Sequence, residues 1–113
     1  ATADSLARAP GFAQIIRMGT IELRLYIRGR TARSEHAIRN LQRLCEALPG
    51  GDFAVEVIDV LVHPRRAEKD RILTTPTLIR SQPHPERRVT GDLSNLDRVT
   101  TALSLEPLQP EAP

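Results

Sequence analysis

From Ile21 to Arg28 apolar and polar residues alternate strictly, with Ile21, Leu23, Leu25 and Ile27 on one face and Arg24 and Tyr26 on the other. A period of two over this length predicts a β-strand, and Gly29 punctuates its end. Between Arg33 and Leu48 the period lengthens, and Ile38, Leu41, Leu44, Cys45 and Leu48 recur at helical spacing. Thr31 or Ser34 can cap this helix, and Pro49-Gly50-Gly51 stops it. Phe53–Leu61 is rich in β-branched residues and predicts a second strand. His63-Pro64 opens a second helix, with proline where its missing N–H is harmless. There Ala67, Ile72 and Leu73 are expected to face inward, and Arg65, Arg66, Glu68, Lys69, Asp70 and Arg71 to form a charged outer surface.

Downstream, Thr77–Arg80 and Glu86–Thr90 read as short strands joined by a hairpin loop over Ser81–Pro85. The second is too charged to be central and is expected at a sheet edge, guarded by its arginines. Gly91-Asp92-Leu93-Ser94-Asn95 leads into a last helix, with Ser94 as the expected cap and Asp97 near the helix N-terminus. Leu96, Val99, Leu103 and Leu105 form its apolar stripe. Two strands around a helix make a right-handed parallel βαβ unit. The whole order is βαβαββα, an α/β fold with a mixed four-stranded sheet. Residues 1–18 are expected to be a flexible extension, 19–105 the folded domain, and 106–113, with three prolines, a disordered tail.

Composition narrows the function. One domain of 113 residues buries roughly 60–70% of its unfolded surface, enough for a core without staples. With no Trp, one Tyr and two Phe, that core must be mostly aliphatic. The single Cys45 rules out an internal disulfide or a Cys-x-x-Cys site, and its place on the apolar stripe makes it a small core residue. The net charge of +2 comes from fifteen Arg and only Lys69 against interspersed acids. Lacking a basic block or aromatic interleaving, the pattern argues against nucleic-acid binding. No apolar run approaches the roughly 18 residues of a membrane span, and the start lacks a signal-peptide core. A cytoplasmic protein without a membrane partner is the expectation.

Specific chemistry is equally sparse. His36, His63 and His84 lie on different elements without a ligand pattern, so no metal is expected. No nucleophile elbow or Walker loop occurs, so no catalytic residue is nominated and no cofactor is implied. The element order, with Pro76 before the third strand, resembles the thioredoxin-like fold. Redox members keep a cysteine pair between the first strand and first helix; here Thr31-Ala32-Arg33-Ser34 fills that place. Without a thiolate, thiol–disulfide exchange is excluded. An enzyme on this fold would need an unrecognised nucleophile near Pro76.

A narrower resemblance rests on an ordered set of pieces. These are Leu25-Tyr26-Ile27, Val57–Leu61, Pro64, Ala67-Glu68, Asp70, Ile72-Leu73, Thr75–Leu78 and Gly91–Asn95. Over Ile21–Leu105 the chain is similar to the KaiB family of clock proteins, and secondarily to the sensor domain of SasA-type kinases. The resemblance implies a non-catalytic module that docks on a KaiC ATPase hexamer and shifts it towards dephosphorylation. Carried over by position, the KaiC-facing residues are Pro64, Glu68, Asp70 and Arg71. His36 and Glu56 stand where KaiA-capturing members have basic residues, which counts against KaiA capture. The family also implies two packings, a thioredoxin-like monomer and a homotetramer with a rearranged C-terminal half (βαββααβ), so that a second copy of the chain, as homodimer or homotetramer, is an expected partner.

The hinge and switch positions implied are Pro76, Gly91, Asp92, Ala102 and Ser104. Ala102 and Ser104 replace the Gly and Asp of the cyanobacterial pattern. Alanine is favoured over glycine in a helix by roughly 0.8–1 kcal/mol, which predicts a bias to the thioredoxin-like form and a cis Thr75–Pro76 bond.

Overall fold

The alternating segment becomes β1 (Ile21–Ile27), the strand around which the sheet is laid out. It pairs in parallel with β2 (Phe53–Asp59) and antiparallel with β3 (Thr77–Gln82). Beyond β3 lies β4 (Arg87–Thr90), so the sheet order is β2-β1-β3-β4. Helices α1 (Ala32–Ala47), α2 (Pro64–Lys69) and α3 (Leu96–Ala102) complete the thioredoxin-like βαβαββα arrangement; the alternative packing is not the one seen. This computed structural model describes residues 20–48 and 52–105. The expectations for residues 1–18, 49–51 and 106–113 lie outside them.

Period two sends β1 into two different cores. Leu23, Leu25 and Ile27 meet Ala37, Leu41 and Leu44 of α1, Leu78, Val89, and Val99, Leu103 and Leu105 at the end of the chain's described part. On the other face Tyr26 packs with Ile58 and Ile79, joined by Val60, Ala67 and Ile72. Cys45 is half-buried against the larger core, as its stripe position predicts, and burial raises its thiol pKa. β4 is at the sheet edge, as its charge predicts.

Several boundaries move for identifiable reasons. β2 ends at Asp59, not Leu61, because its carboxylate accepts from the N–H groups of Gly29 and Leu61 and closes a turn. β3 runs on to Gln82, which pairs with Glu22 past an irregularity in β1. The hairpin loop is therefore shorter than expected. It holds two cis bonds, Gln82–Pro83 and His84–Pro85. Thr31, rather than Ser34, caps α1: its hydroxyl accepts from the Ser34 N–H at 3.1 Å, and Ser34 is buried inside the helix.

Asn95, rather than Ser94, caps α3 by accepting from the Arg98 N–H. The Ser94 N–H is already taken by the Asp92 carboxylate. Ala102 is the last residue of α3, and Ser104 lies outside it with φ +53°. The helix preference of alanine over glycine therefore acts here only at a terminal position. The Thr75–Pro76 bond is cis, as expected, and the buried Pro76 accepts from the Gly91 N–H at 2.9 Å.

Candidate docking surface around the second helix

α2 is only six residues long, and its end decides what it presents. Pro64 starts it after His63. It stops in a Schellman turn, where the Ile72 N–H donates to the Ala67 carbonyl (2.9 Å) and the Arg71 N–H to the Glu68 carbonyl (3.0 Å). That motif needs a left-handed residue after the cap, usually glycine; here it is Arg71, φ +55°. An L-residue in that conformation costs roughly 1–2 kcal/mol, so something must hold the turn. Ala67 and Ile72 contribute by packing on the small core.

The rest is polar. Asp70 turns back onto the sheet, where its Oδ2 accepts from the Tyr26 hydroxyl at 2.5 Å and from Arg24 Nη1 at 2.7 Å. Burial works to raise the Asp70 carboxyl, but these two donors outweigh it and hold it below its ordinary value. Burial, reinforced by the Asp70 carboxylate, pushes the Tyr26 phenol up to about 12. One turn earlier Arg66 makes a bidentate pair with Glu56 of β2 (2.5 and 2.9 Å). The hydrogen bonds from Arg66 hold the Glu56 carboxyl low. Arg88 of β4 donates to the Arg71 carbonyl at 3.4 Å.

Above this layer the surface is mixed. Leu61, Val62 and Leu73 are exposed large apolar residues, Leu73 at 92%. Leu73 therefore does not face inward as its helical spacing predicts, because α2 has already ended. A cleft of about 370 Å³ runs among Arg28, Leu61, Pro64, Glu68, Leu73 and Thr75. Exposed apolar residues beside charges of both signs are a composition that interaction surfaces share.

The structure brings Pro64, Glu68, Asp70 and Arg71 together, with one correction. Pro64, Glu68 and Arg71 are exposed, whereas the Asp70 side chain is 16% exposed and points under the helix. Pro76 and Gly91 are joined by the hydrogen bond from the Gly91 N–H to the Pro76 carbonyl. Asp92 orders its turn through Ser94, whose hydrogen bonds lower its carboxyl pKa, and its carbonyl accepts from Asn40. Ala102 and Ser104 belong to the opposite face, with α3. His36 is exposed on α1 and Glu56 on β2, engaged with Arg66. Among the described residues no group of three His, Cys, Asp or Glu could hold a metal, and no helix is long and apolar enough to cross a membrane.

Arg24, Tyr26, Leu61 and Val62 were not singled out by the sequence pattern. A signal for the first two exists: both lie on the polar side of a strand that is central and covered on both faces.

Comparison with known proteins adds a consistent set of likenesses. The family model for the KaiB domain matches residues 24–105. The circadian clock protein KaiB3 of Synechocystis is 47% identical over 90 residues, spanning 80% of this chain and 88% of the relative. The circadian clock oscillator protein KaiB of Thermosynechococcus vestitus is 45% identical over 86 residues, 76% of this chain and 80% of the relative. Among solved structures, the N-terminal domain of Synechococcus elongatus SasA superposes with a TM-score of 0.66 at 18% identity, covering 89% of this chain and 99% of that one. Mitochondrial thioredoxin 3 of Saccharomyces cerevisiae gives 0.61 at 15% identity, covering 80% and 82%. At those identities the structural likeness is one of fold.

Proposed function

The chain belongs to the KaiB family, and from that premise we propose that it is a non-catalytic regulatory protein that docks on a KaiC-type ATPase and modulates its phosphorylation state. The observation that carries this reading is the exposed group Leu61, Val62 and Leu73 beside Glu68 and Arg71. Three large aliphatic side chains left in water around a short helix are better accounted for by a partner than by the fold. Pro64 sets where the helix starts, Glu68 and Arg71 supply charges of both signs for register, and the apolar residues supply buried area.

The test is titration of the chain against a KaiC-type ATPase, followed by calorimetry and by the phosphorylation state of the ATPase over time. Leu73→Asp and Arg71→Glu should each weaken binding by roughly tenfold or more, the size expected of a central interface contact. Wild-type affinity in both variants would move the docking surface elsewhere. The alternative of a sensory domain in a SasA-type signalling system rests on fold likeness, and the Gly91–Asn95 turn favours the KaiB reading.

A further inference from the structure

Asp70 sits where a docking residue is expected, yet it faces away from the surface. Its two partners, Arg24 and Tyr26, are two residues apart on β1 and 46 and 44 residues away in sequence. Tyr26 is 1% exposed, so its hydroxyl can reach no partner molecule. What the three side chains do reach is the end of α2. Asp70 is the residue at which the helix stops, and its own N–H donates to the Arg66 carbonyl at 3.1 Å. The next residue, Arg71, has the left-handed backbone.

We propose that Asp70 is a positioning residue for docking: from beneath α2, through Tyr26 and Arg24, it locks the Ala67–Ile72 turn that presents Arg71 and Leu73. This rests on the docking function proposed above, but the clasp itself can be tested apart from it. The clasp works because one carboxylate oxygen takes two donors from a rigid central strand. Charge-assisted bonds of this kind are about twice as strong as neutral ones. They fix the chain immediately before the strained residue. The charges that face the site are Arg24 on β1, Arg66 and Lys69 on α2, and Glu86 just before β4, around a cleft of about 250 Å³; Glu56 on β2 pairs with Arg66, and Arg88 on β4 with Glu86. Arg71 and Leu73 then leave the turn in fixed directions without an internal glycine.

Two variants separate positioning from contact, because Tyr26→Phe loosens the clasp at a residue no partner can touch, whereas Asp70→Ala removes it outright. Amide hydrogen exchange is measured on both, together with titration against a KaiC-type ATPase. The Arg71 and Ile72 amides should exchange on the order of tenfold faster in both variants, the loss expected when a hydrogen bond to a charged group is removed. The amides of Leu23 and Leu25 should change only by the factor that each variant's measured loss of global stability accounts for. The chain has one Tyr and no Trp, so phenolate absorbance reports Tyr26 alone. In Asp70→Ala its titration should fall back from about 12 towards the ordinary phenol value.

Affinity should drop in both single variants, and the double variant should bind no more weakly than Asp70→Ala. Unchanged exchange at Arg71 and Ile72 would overturn the clasp. Wild-type affinity in Tyr26→Phe beside a loss in Asp70→Ala would overturn positioning and make Asp70 a direct contact. A wild-type chain that does not bind the ATPase would overturn the docking function instead, while the exchange measurement still decides the clasp.

Discussion

The two faces of the sheet are built by different means. Among the described residues, the apolar core under α1 and α3 comprises twelve buried residues, all aliphatic, whereas that under α2 comprises three, and one of those is Tyr26. Both faces end a short helix in the same Schellman turn with a non-glycine in the left-handed position, Arg71 after α2 and Ser104 after α3. After α3 the following residue, Leu105, is buried in the large core and holds the turn by apolar contact, beside one bond from Arg80 Nη1 to the Ser104 carbonyl at 3.3 Å. After α2 the following Ile72 is only half-buried, and the turn is held by Asp70, Tyr26 and Arg24. Aliphatic packing is non-directional and tolerant; a carboxylate clasp is directional and depends on pH. The face proposed to present side chains to a partner is the one that uses the clasp.

The largest expected effect lies on the aliphatic face. Leu25→Ala should lower stability by about 2–5 kcal/mol through lost burial and a cavity, read as a shift of the urea midpoint, and docking should weaken only as the fold does. Tyr26→Phe on the other face should cost about 1–3 kcal/mol, because it strips a donor from a buried carboxylate. A loss at Tyr26 as large as at Leu25 would erase the contrast between the faces.

Acid should sharpen the contrast further. Asp70 is held below its ordinary carboxyl range in the folded chain, so the unfolded chain takes up its proton first. The stabilisation is then present above the ordinary carboxyl pKa and lost as pH falls through the folded one. Denaturation at pH 6 and pH 3, values chosen to bracket the ordinary carboxyl pKa of about 3.9, should show an acid loss that is smaller in Asp70→Ala, the remainder coming from Glu56, Asp59 and Asp92, whose carboxyls are also held low. At the alkaline end the sign reverses. With the Tyr26 phenol raised to about 12, its contribution is intact below pH 10 and disappears as pH rises through 12.

The smallest effects are at the turns themselves. Arg71→Gly and Ser104→Gly should each raise stability by about 1 kcal/mol by relieving a left-handed L-residue. Only Arg71→Gly should weaken docking, because it also removes a presented cation. Equal docking in the two glycine variants would break the assignment of function to the α2 face.

Much of the fold was legible because its signals are local. The Ile21–Ile27 alternation, the 16-residue stripe of α1 and the charged edge strand β4 each follow from a period or composition within one segment. For the candidate site, the sequence places its residues at α2 but does not set their orientation. Leu73 continues the apolar spacing of α2 and was expected inside, yet the helix ends at Lys69 without the glycine that normally marks such a stop. Ser94 and Asn95 are both good caps; the choice fell to Asn95 because Asp92 engages Ser94. The extension of β3 to Gln82 depends on Glu22, far away in sequence.

By itself, then, the sequence determined the element order, the aliphatic core face, the absence of a thiol where redox relatives carry one, and membership in a family through ordered matching pieces. Tertiary structure alone decided that Asp70 points inward while Leu73 points out, and that a strained Arg71 stands between them. The reason is physical. Periodicity reports which face of an element is apolar, over neighbours three or four residues apart. A clasp such as Arg24–Asp70 joins residues 46 apart, and it exists only once β1 and α2 have packed.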